Sequence, residues 1–103
     1  MENLKGNRLT GKNVVVTGAG SRETGYGIGQ VISILFASQE ANVLVVDSDK
    51  DRGERTVSTI LDKDGIASLC LADVSKSSEC EKVIKNVITK YGSLDVLINN
   101  VGV

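Results

Sequence analysis

The stretch NVVVTGAGSRETGYGIGQVISILF, residues 13–36, decides the fold. It opens with a short β-branched apolar run, passes through a loop with five glycines in residues 17–29, and ends in apolar residues at helical spacing. The unbroken run predicts a strand buried on both faces, and the spacing after the loop predicts an amphipathic helix. Its stripe consists of Ile28, Val31, Ile32, Leu35 and Phe36.

The rest of the chain repeats this alternation. Residues 42–46, 66–72 and 94–98 are further candidate strands. Residues 49–64 predict a mostly exposed helix that ends near Gly65. Another helix is expected after Ser75, its predicted N-cap. Like the first stripe, the apolar stripe of this last helix is expected to face the sheet: Cys80, Val83, Ile84, Val87, Ile88 and Tyr91.

The element order is therefore β-α-β-α-β-α-β, which favours a parallel sheet with right-handed crossovers. We predict an α/β fold with a Rossmann-like, doubly wound parallel sheet of strand order 3-2-1-4, truncated after the fourth strand. Residues 1–103 are expected to form a single, partial nucleotide-binding domain. The switch point between strands one and four would lie above Gly18 and Asn99.

Composition narrows the possible functions. The 12 Lys and Arg residues nearly balance the 13 Asp and Glu residues, which predicts neither a nucleic-acid nor a membrane partner. With no signal peptide or membrane span recognisable, we expect a cytoplasmic protein. Cys70 and Cys80 are predicted to be reduced thiols, and the absence of histidine argues against a metal site.

The glycine-rich loop predicts an anion site. Its backbone N–H groups and the positive end of the following helix can converge on a pyrophosphate. A merely flexible loop is the plain alternative. Gly20 to Gly25 also has the spacing of a nucleoside-triphosphate loop, but Tyr26 and Gly27 replace the required Lys and Ser or Thr, so a phosphate-loop nucleotidase is nearly excluded.

Thr17-Gly18 followed by Gly27-Ile28-Gly29 resembles the T-G-x-x-x-G-x-G fingerprint of the short-chain dehydrogenase/reductase family. Eight residues separate Gly18 from Gly27 where the family usually has three, so the loop carries an insertion and either Gly25 or Gly27 takes the second-glycine role.

Three further motifs support the resemblance. Asp47 closes the second strand, where a carboxylate can accept hydrogen bonds from the adenosine ribose. Asp73-Val74 resembles the family's adenine-contacting pair, and residues 99–102 (NNVG) resemble its N-N-A-G signature. The predicted cofactor-binding residues are Gly18, Ser21, Arg22, Gly27, Ile28, Gly29, Asp47, Asp73, Val74, Asn99 and Gly102.

The resemblance implies an NAD(P) cofactor, and charge favours NAD. The Asp47 carboxylate would repel the 2′-phosphate of NADP, by up to about 4 kcal/mol per charge pair at roughly 4 Å and an effective dielectric near 20. Arg22 in the loop is the counter-argument, because a guanidinium can neutralise that phosphate. NADP therefore stays open as the second candidate.

The resemblance implies the cofactor-binding part of an oxidoreductase that transfers hydride between nicotinamide and a carbonyl or alcohol substrate in the full-length protein. The family's catalytic serine and Tyr-x-x-x-Lys pair lie beyond this sequence. Tyr26 and Tyr91 cannot replace them, because Gln30 and Asp95 stand where the lysine is needed, so no catalytic residue is assigned. A non-catalytic module that binds a nucleotide or a partner is the alternative. A homo-oligomer is possible, because the fourth strand would leave an apolar edge.

Overall fold

The computed structural model describes residues 5–22 and 27–100, in which four strands alternate with three helices. The strands form one parallel sheet of order β3-β2-β1-β4, which confirms the predicted fold class and strand order. The elements are β1 (Asn13–Thr17), α1 (Ile28–Ser38), β2 (Asn42–Asp47), α2 (Lys50–Asp62), β3 (Ile66–Leu71), α3 (Ser77–Tyr91) and β4 (Val96–Asn99).

The sheet carries helices on both faces. Alternate residues of β1 point to opposite faces, so that Val14 and Val16 contribute to one apolar cluster and Val15 to the other. The first cluster also contains Ile34 of α1 and Ile60 of α2. The second also contains Val83 and Val87 of α3. Two helices thus cover one face and one covers the other, as right-handed crossovers require.

Strand β4 begins at Val96, so the prediction that it starts at residue 94 was wrong. The reason is a side chain: Asp95 Oδ2 accepts a hydrogen bond from the Asn13 N–H at 2.8 Å, a donor that a regular ladder would pair with a carbonyl. Leu94, before it, packs against the α3-side cluster instead.

Ser75 is not the N-cap of α3. The helix begins at Ser77 after Lys76, which makes no side-chain cap bond. Ser75 is engaged by Asp73, whose Oδ1 accepts hydrogen bonds from the Ser75 N–H at 3.0 Å and its hydroxyl at 2.6 Å. A short aspartate turn therefore precedes the helix. In α2, by contrast, Asp49 is a side-chain cap and accepts from the Arg52 N–H at 3.0 Å.

The predicted apolar stripes only partly face the sheet. Ile28, the first residue of α1, is 68% exposed. In α3 only Val83 and Val87 are buried, while Ile84 and Ile88 are exposed. The face of α3 that reaches the sheet is thus about one residue wide, and a flank of the helix remains apolar and open to solvent.

Among the described residues, no helix combines the length and apolarity that crossing a bilayer requires. In the same part of the chain, no group of three or more His, Cys, Asp or Glu side chains is placed to hold a metal ion. The two cysteines are free thiols, with Cys70 buried and Cys80 exposed.

Candidate functional site

The candidate site lies at the carboxyl edge of the sheet, where β1, β2, β3 and β4 all end. The chain leaves β1 for the α1 face of the sheet, whereas it enters β4 from the α3 face. These crossovers diverge between β1 and β4, which is where open parallel sheets bind their ligands.

Gly18 opens the loop after β1 in a conformation that favours glycine, with φ +61°. It also has no room for a side chain, because an added β-carbon would overlap the Asn100 carbonyl oxygen. Gly29, in the first turn of α1, packs against the Gly18 carbonyl in the same close manner. The backbone of the loop and the start of the helix therefore meet directly.

In the part of the chain that the structure describes, the N-terminus of α1 is a candidate anion site. Gly27 is its N-cap, has an extended backbone and makes no side-chain cap bond. The first turn of α1, which begins Ile28-Gly29, carries no acidic residue. Its backbone N–H groups can thus donate to a ligand, with the positive end of the helix dipole behind them.

Asp47 ends β2 with its carboxylate held in place by backbone donors. Oδ2 accepts from the Gly20 N–H and Oδ1 from the Asp49 N–H, both at 2.9 Å. The carboxylate is half-buried and lies beside Gly18 in a small cleft. The cleft is lined by Gly18, Val46, Asp47, Ser48, Ala72, Asp73 and Val74.

Asp73 and Val74 follow β3 on the far wall of that cleft. The two hydrogen bonds from Ser75, first from its hydroxyl and then from its backbone N–H, lower the pKa of Asp73. Val74 packs against the α3-side cluster, and its carbonyl accepts from the Sγ of Cys80 at 3.2 Å. This places the exposed Cys80 thiol directly behind the cleft.

Asn99 and Asn100 join β4 to β1. The Thr17 hydroxyl donates to Asn99 Oδ1 at 2.9 Å and accepts from the Asn100 N–H at 3.0 Å. The Asn100 side-chain amide reaches the Gly18 carbonyl at 3.4 Å. Asn99 is thus tied to the strand end next to Gly18, on the side away from Asp47. Asn100 was not predicted as a site residue, because its contact with Gly18 spans 82 positions and leaves no local pattern in the sequence.

Ser21 and Arg22 lie apart from the cleft, against α2. Ser21 is buried, with its N–H donating to the Arg52 carbonyl at 3.0 Å and its hydroxyl accepting from Arg55 at 3.4 Å. Arg22 is exposed and passes over Gly27. The structure thus brings Gly18, Asp47, Asp73 and Val74 together, whereas Gly102 lies outside the described residues.

Tyr91 is remote from this edge. It ends α3, and its hydroxyl donates to the Val43 carbonyl at 3.1 Å and pairs with the Ser68 hydroxyl at 2.8 Å. Burial raises the pKa of the Tyr91 phenol. A phenol with this role anchors the helix to the sheet. Tyr26 is outside the described residues.

Comparison with known proteins agrees with this geometry. The model of the short chain dehydrogenase family matches residues 12–103. The chain belongs to the short-chain dehydrogenase family. A member of the family, 7alpha-hydroxysteroid dehydrogenase from Escherichia coli strain K12, is 37% identical over 95 residues, which cover 92% of this chain and 35% of the relative. The chain therefore spans about a third of the length of the curated relatives it matches.

Solved structures of short-chain dehydrogenases superpose closely on the chain. A structure described as a putative short-chain dehydrogenase/reductase from Burkholderia xenovorans has a TM-score of 0.89 at 36% identity, over 94% of this chain and 37% of that one. A 7 alpha-hydroxysteroid dehydrogenase complexed with NADH and 7-oxo glycochenodeoxycholic acid has a TM-score of 0.85 at 35% identity, over 99% of this chain and 37% of that one. The family binds NAD(P).

Proposed function

We propose that this chain forms the NAD-binding part of an oxidoreductase, and that the whole protein transfers hydride between the nicotinamide and a carbonyl or alcohol substrate. When bound, the cofactor supplies the hydride acceptor or donor. The chain's own residues bind and orient it. We further propose a cytoplasmic location for the whole protein.

The pyrophosphate would lie against the N-terminus of α1. The close packing of Gly18 against the Asn100 carbonyl and of Gly29 against the Gly18 carbonyl holds the loop directly against the start of α1, where the backbone N–H groups after Gly27 would donate to the ligand. Backbone donors at a helix N-terminus suit a diphosphate. The residues present therefore fit the group.

The single observation that carries the choice of NAD is the fixed carboxylate of Asp47 in the cleft beside Gly18. There it would accept hydrogen bonds from the ribose hydroxyls of NAD, while a 2′-phosphate would meet a like charge. Asp73 and Val74 across the cleft would border the adenine. Arg22 lies over Gly27 and does not line the cleft, whose charged lining residues are Asp47 and Asp73.

Calorimetric titration of the protein with NADH and NADPH tests the proposal. We expect tighter binding of NADH, and in Asp47→Ala a shift of the ratio of the two dissociation constants toward NADPH by about tenfold. Asp62→Ala, which removes an exposed carboxylate at the end of α2, is the matched control and should leave the ratio unchanged. Heat from neither dinucleotide, or an unaltered ratio in Asp47→Ala, would contradict the proposal.

A further inference from the structure

Gly20, in the glycine-rich loop, contacts the Asp47 carboxylate. Its N–H donates to Asp47 Oδ2 at 2.9 Å, while the other carboxylate oxygen is held by the Asp49 N–H at 2.9 Å. Two donors, one on each oxygen, fix both the position and the rotation of a carboxylate. This hydrogen bond from Gly20 therefore joins the glycine-rich loop to the end of β2.

Position 20 has no space for a side chain. An added β-carbon would lie 2.7 Å from Asp47 Oδ2 and 2.8 Å from Arg52 Cβ, both closer than real side chains approach. Arg52 cannot yield, because its Cβ is fixed to the backbone of α2. That part of α2 is also tied to the loop by the bond from the Ser21 N–H to the Arg52 carbonyl at 3.0 Å. Position 20 must therefore shift away from Arg52, which displaces its N–H from Asp47 Oδ2, and the Asp47 carboxylate must also rotate about its side-chain bonds to clear the added methyl group.

We propose that Gly20 is a specificity-determining position of the dinucleotide site, acting by positioning Asp47. The inference rests on the proposed function. Any side chain at position 20 turns the carboxylate out of its place in the cleft and removes its bond from the loop. The charge stays, but its alignment with the ribose is lost, so the preference for NAD over NADP weakens.

Gly20→Ala tests this proposal through a ratio that simple loss of stability would not move. We expect the ratio of the NADPH to the NADH dissociation constant to fall by about fivefold to tenfold. In the Asp47→Ala background the same substitution should leave the ratio unaltered, because the carboxylate it acts through is gone. Gly53→Ala is the control: it also adds a methyl group to a packed glycine of α2, but against the flexible end of Leu69.

A second variant keeps the test decisive if Gly20→Ala does not fold. Asp47→Glu retains the charge but moves the carboxylate by one methylene group, away from the Gly20 N–H. We expect the ratio to fall there as well, with an upfield shift of the Gly20 amide proton in the NMR spectrum as the hydrogen bond is lost.

The two proposals fail in different ways. If Asp47→Ala shifts the ratio but a folded Gly20→Ala does not, the role of Gly20 is overturned and the site stands. The role of Gly20 is likewise overturned if Asp47→Glu keeps both the ratio and the amide shift. If Asp47→Ala leaves the ratio unchanged, the proposed function itself is wrong.

Discussion

Single side chains at the carboxyl edge of the sheet connect loops that are far apart in sequence. The Thr17 hydroxyl links β1 to residues 99 and 100, and the Asp47 carboxylate links the glycine loop to the start of α2. Asp73 organises the turn before α3. Each of these groups accepts hydrogen bonds from backbone N–H groups that would otherwise need water as their partner. The loops of the candidate site are therefore fixed in position before any ligand binds.

The pKa of Asp73 should depend on Ser75. Ser75→Ala removes the hydroxyl donor and keeps the backbone N–H, so the lowered pKa should rise part of the way to the ordinary value of an aspartate. Because the folded-state pKa is the lower one, the turn's contribution to stability is present above the ordinary pKa and is lost as the pH falls through the lowered one. A carbon-13 NMR titration of the carboxyl measures this, with Ser78→Ala, an exposed serine of α3, as control. An identical midpoint in Ser75→Ala would be contrary to the assignment.

At the scale of residues, the sequence predicted which side chains stand at the strand ends but not what they bind within the chain. Gly18 and Asp47 carry signals of their own, a glycine after a buried strand and a carboxylate at the end of the next one. Asn100 and Gly20 do not. Their roles arise from contacts across 82 and 27 positions, which no local pattern records.

Helix α2 packs against the rest of the protein through only a few buried residues. In α2 only Gly53, Thr56 and Ile60 are buried, and Thr56 donates its hydroxyl to the Ala19 carbonyl of the glycine loop at 2.7 Å. The packing of α2 therefore holds the loop as well as the sheet. An element with so narrow a contact face depends strongly on each residue in it.

Ile60→Ala should destabilise the protein by about 2–5 kcal/mol, because it removes buried methyl groups and leaves a cavity in the cluster beneath α2. Ile60 is 1% exposed, whereas its neighbour Leu61 is 52% exposed. Leu61→Ala is thus a matched control with an expected change below about 1 kcal/mol. Urea unfolding followed by circular dichroism compares the two, and equal losses would show that α2 does not pack as described.

At the scale of elements, apolar patterning predicted every strand and helix of the described chain, and errors arose where polar side chains decide a boundary. The Asp95 carboxylate bonds to the Asn13 N–H, so the regular pairing of β4 begins one residue later, at Val96. The Ser75 hydroxyl bonds to Asp73 and therefore does not cap α3. The exposure of Ile84 and Ile88 has another cause. Periodicity identifies an apolar face but not how much of it a neighbouring element covers.

At the scale of the whole molecule, the β4 edge of the sheet and the adjoining side of α3 expose apolar side chains. β4 pairs with β1 on one side and with no other strand among the described residues, and its Leu97 is 53% exposed on the face that α3 covers. Lys82 of α3 bonds to the β3 end of the sheet, so Ile84 and Ile88, on the opposite flank of the helix, lie toward β4. An open strand edge beside exposed apolar side chains favours association.

We therefore expect the 103-residue chain to self-associate through this flank in a concentration-dependent way. Leu97→Lys should shift the equilibrium toward the monomer, because a charge on an edge strand opposes pairing. Leu61→Lys, at an exposed position of α2, should not. Sedimentation velocity over a wide concentration range measures both. A wild-type chain that stays monomeric throughout would refute the expectation.

The pairing of the Cys80 thiol with the Val74 carbonyl has a practical consequence. Cys80 is exposed in the first turn of α3, whereas Cys70 is buried and its thiol has a raised pKa, chiefly through burial. A maleimide dye should therefore label the native chain at one place without any engineered cysteine. Because that place adjoins the wall of the cleft, the fluorescence of the label would serve as a reporter of occupancy, even for a ligand that has no optical signal.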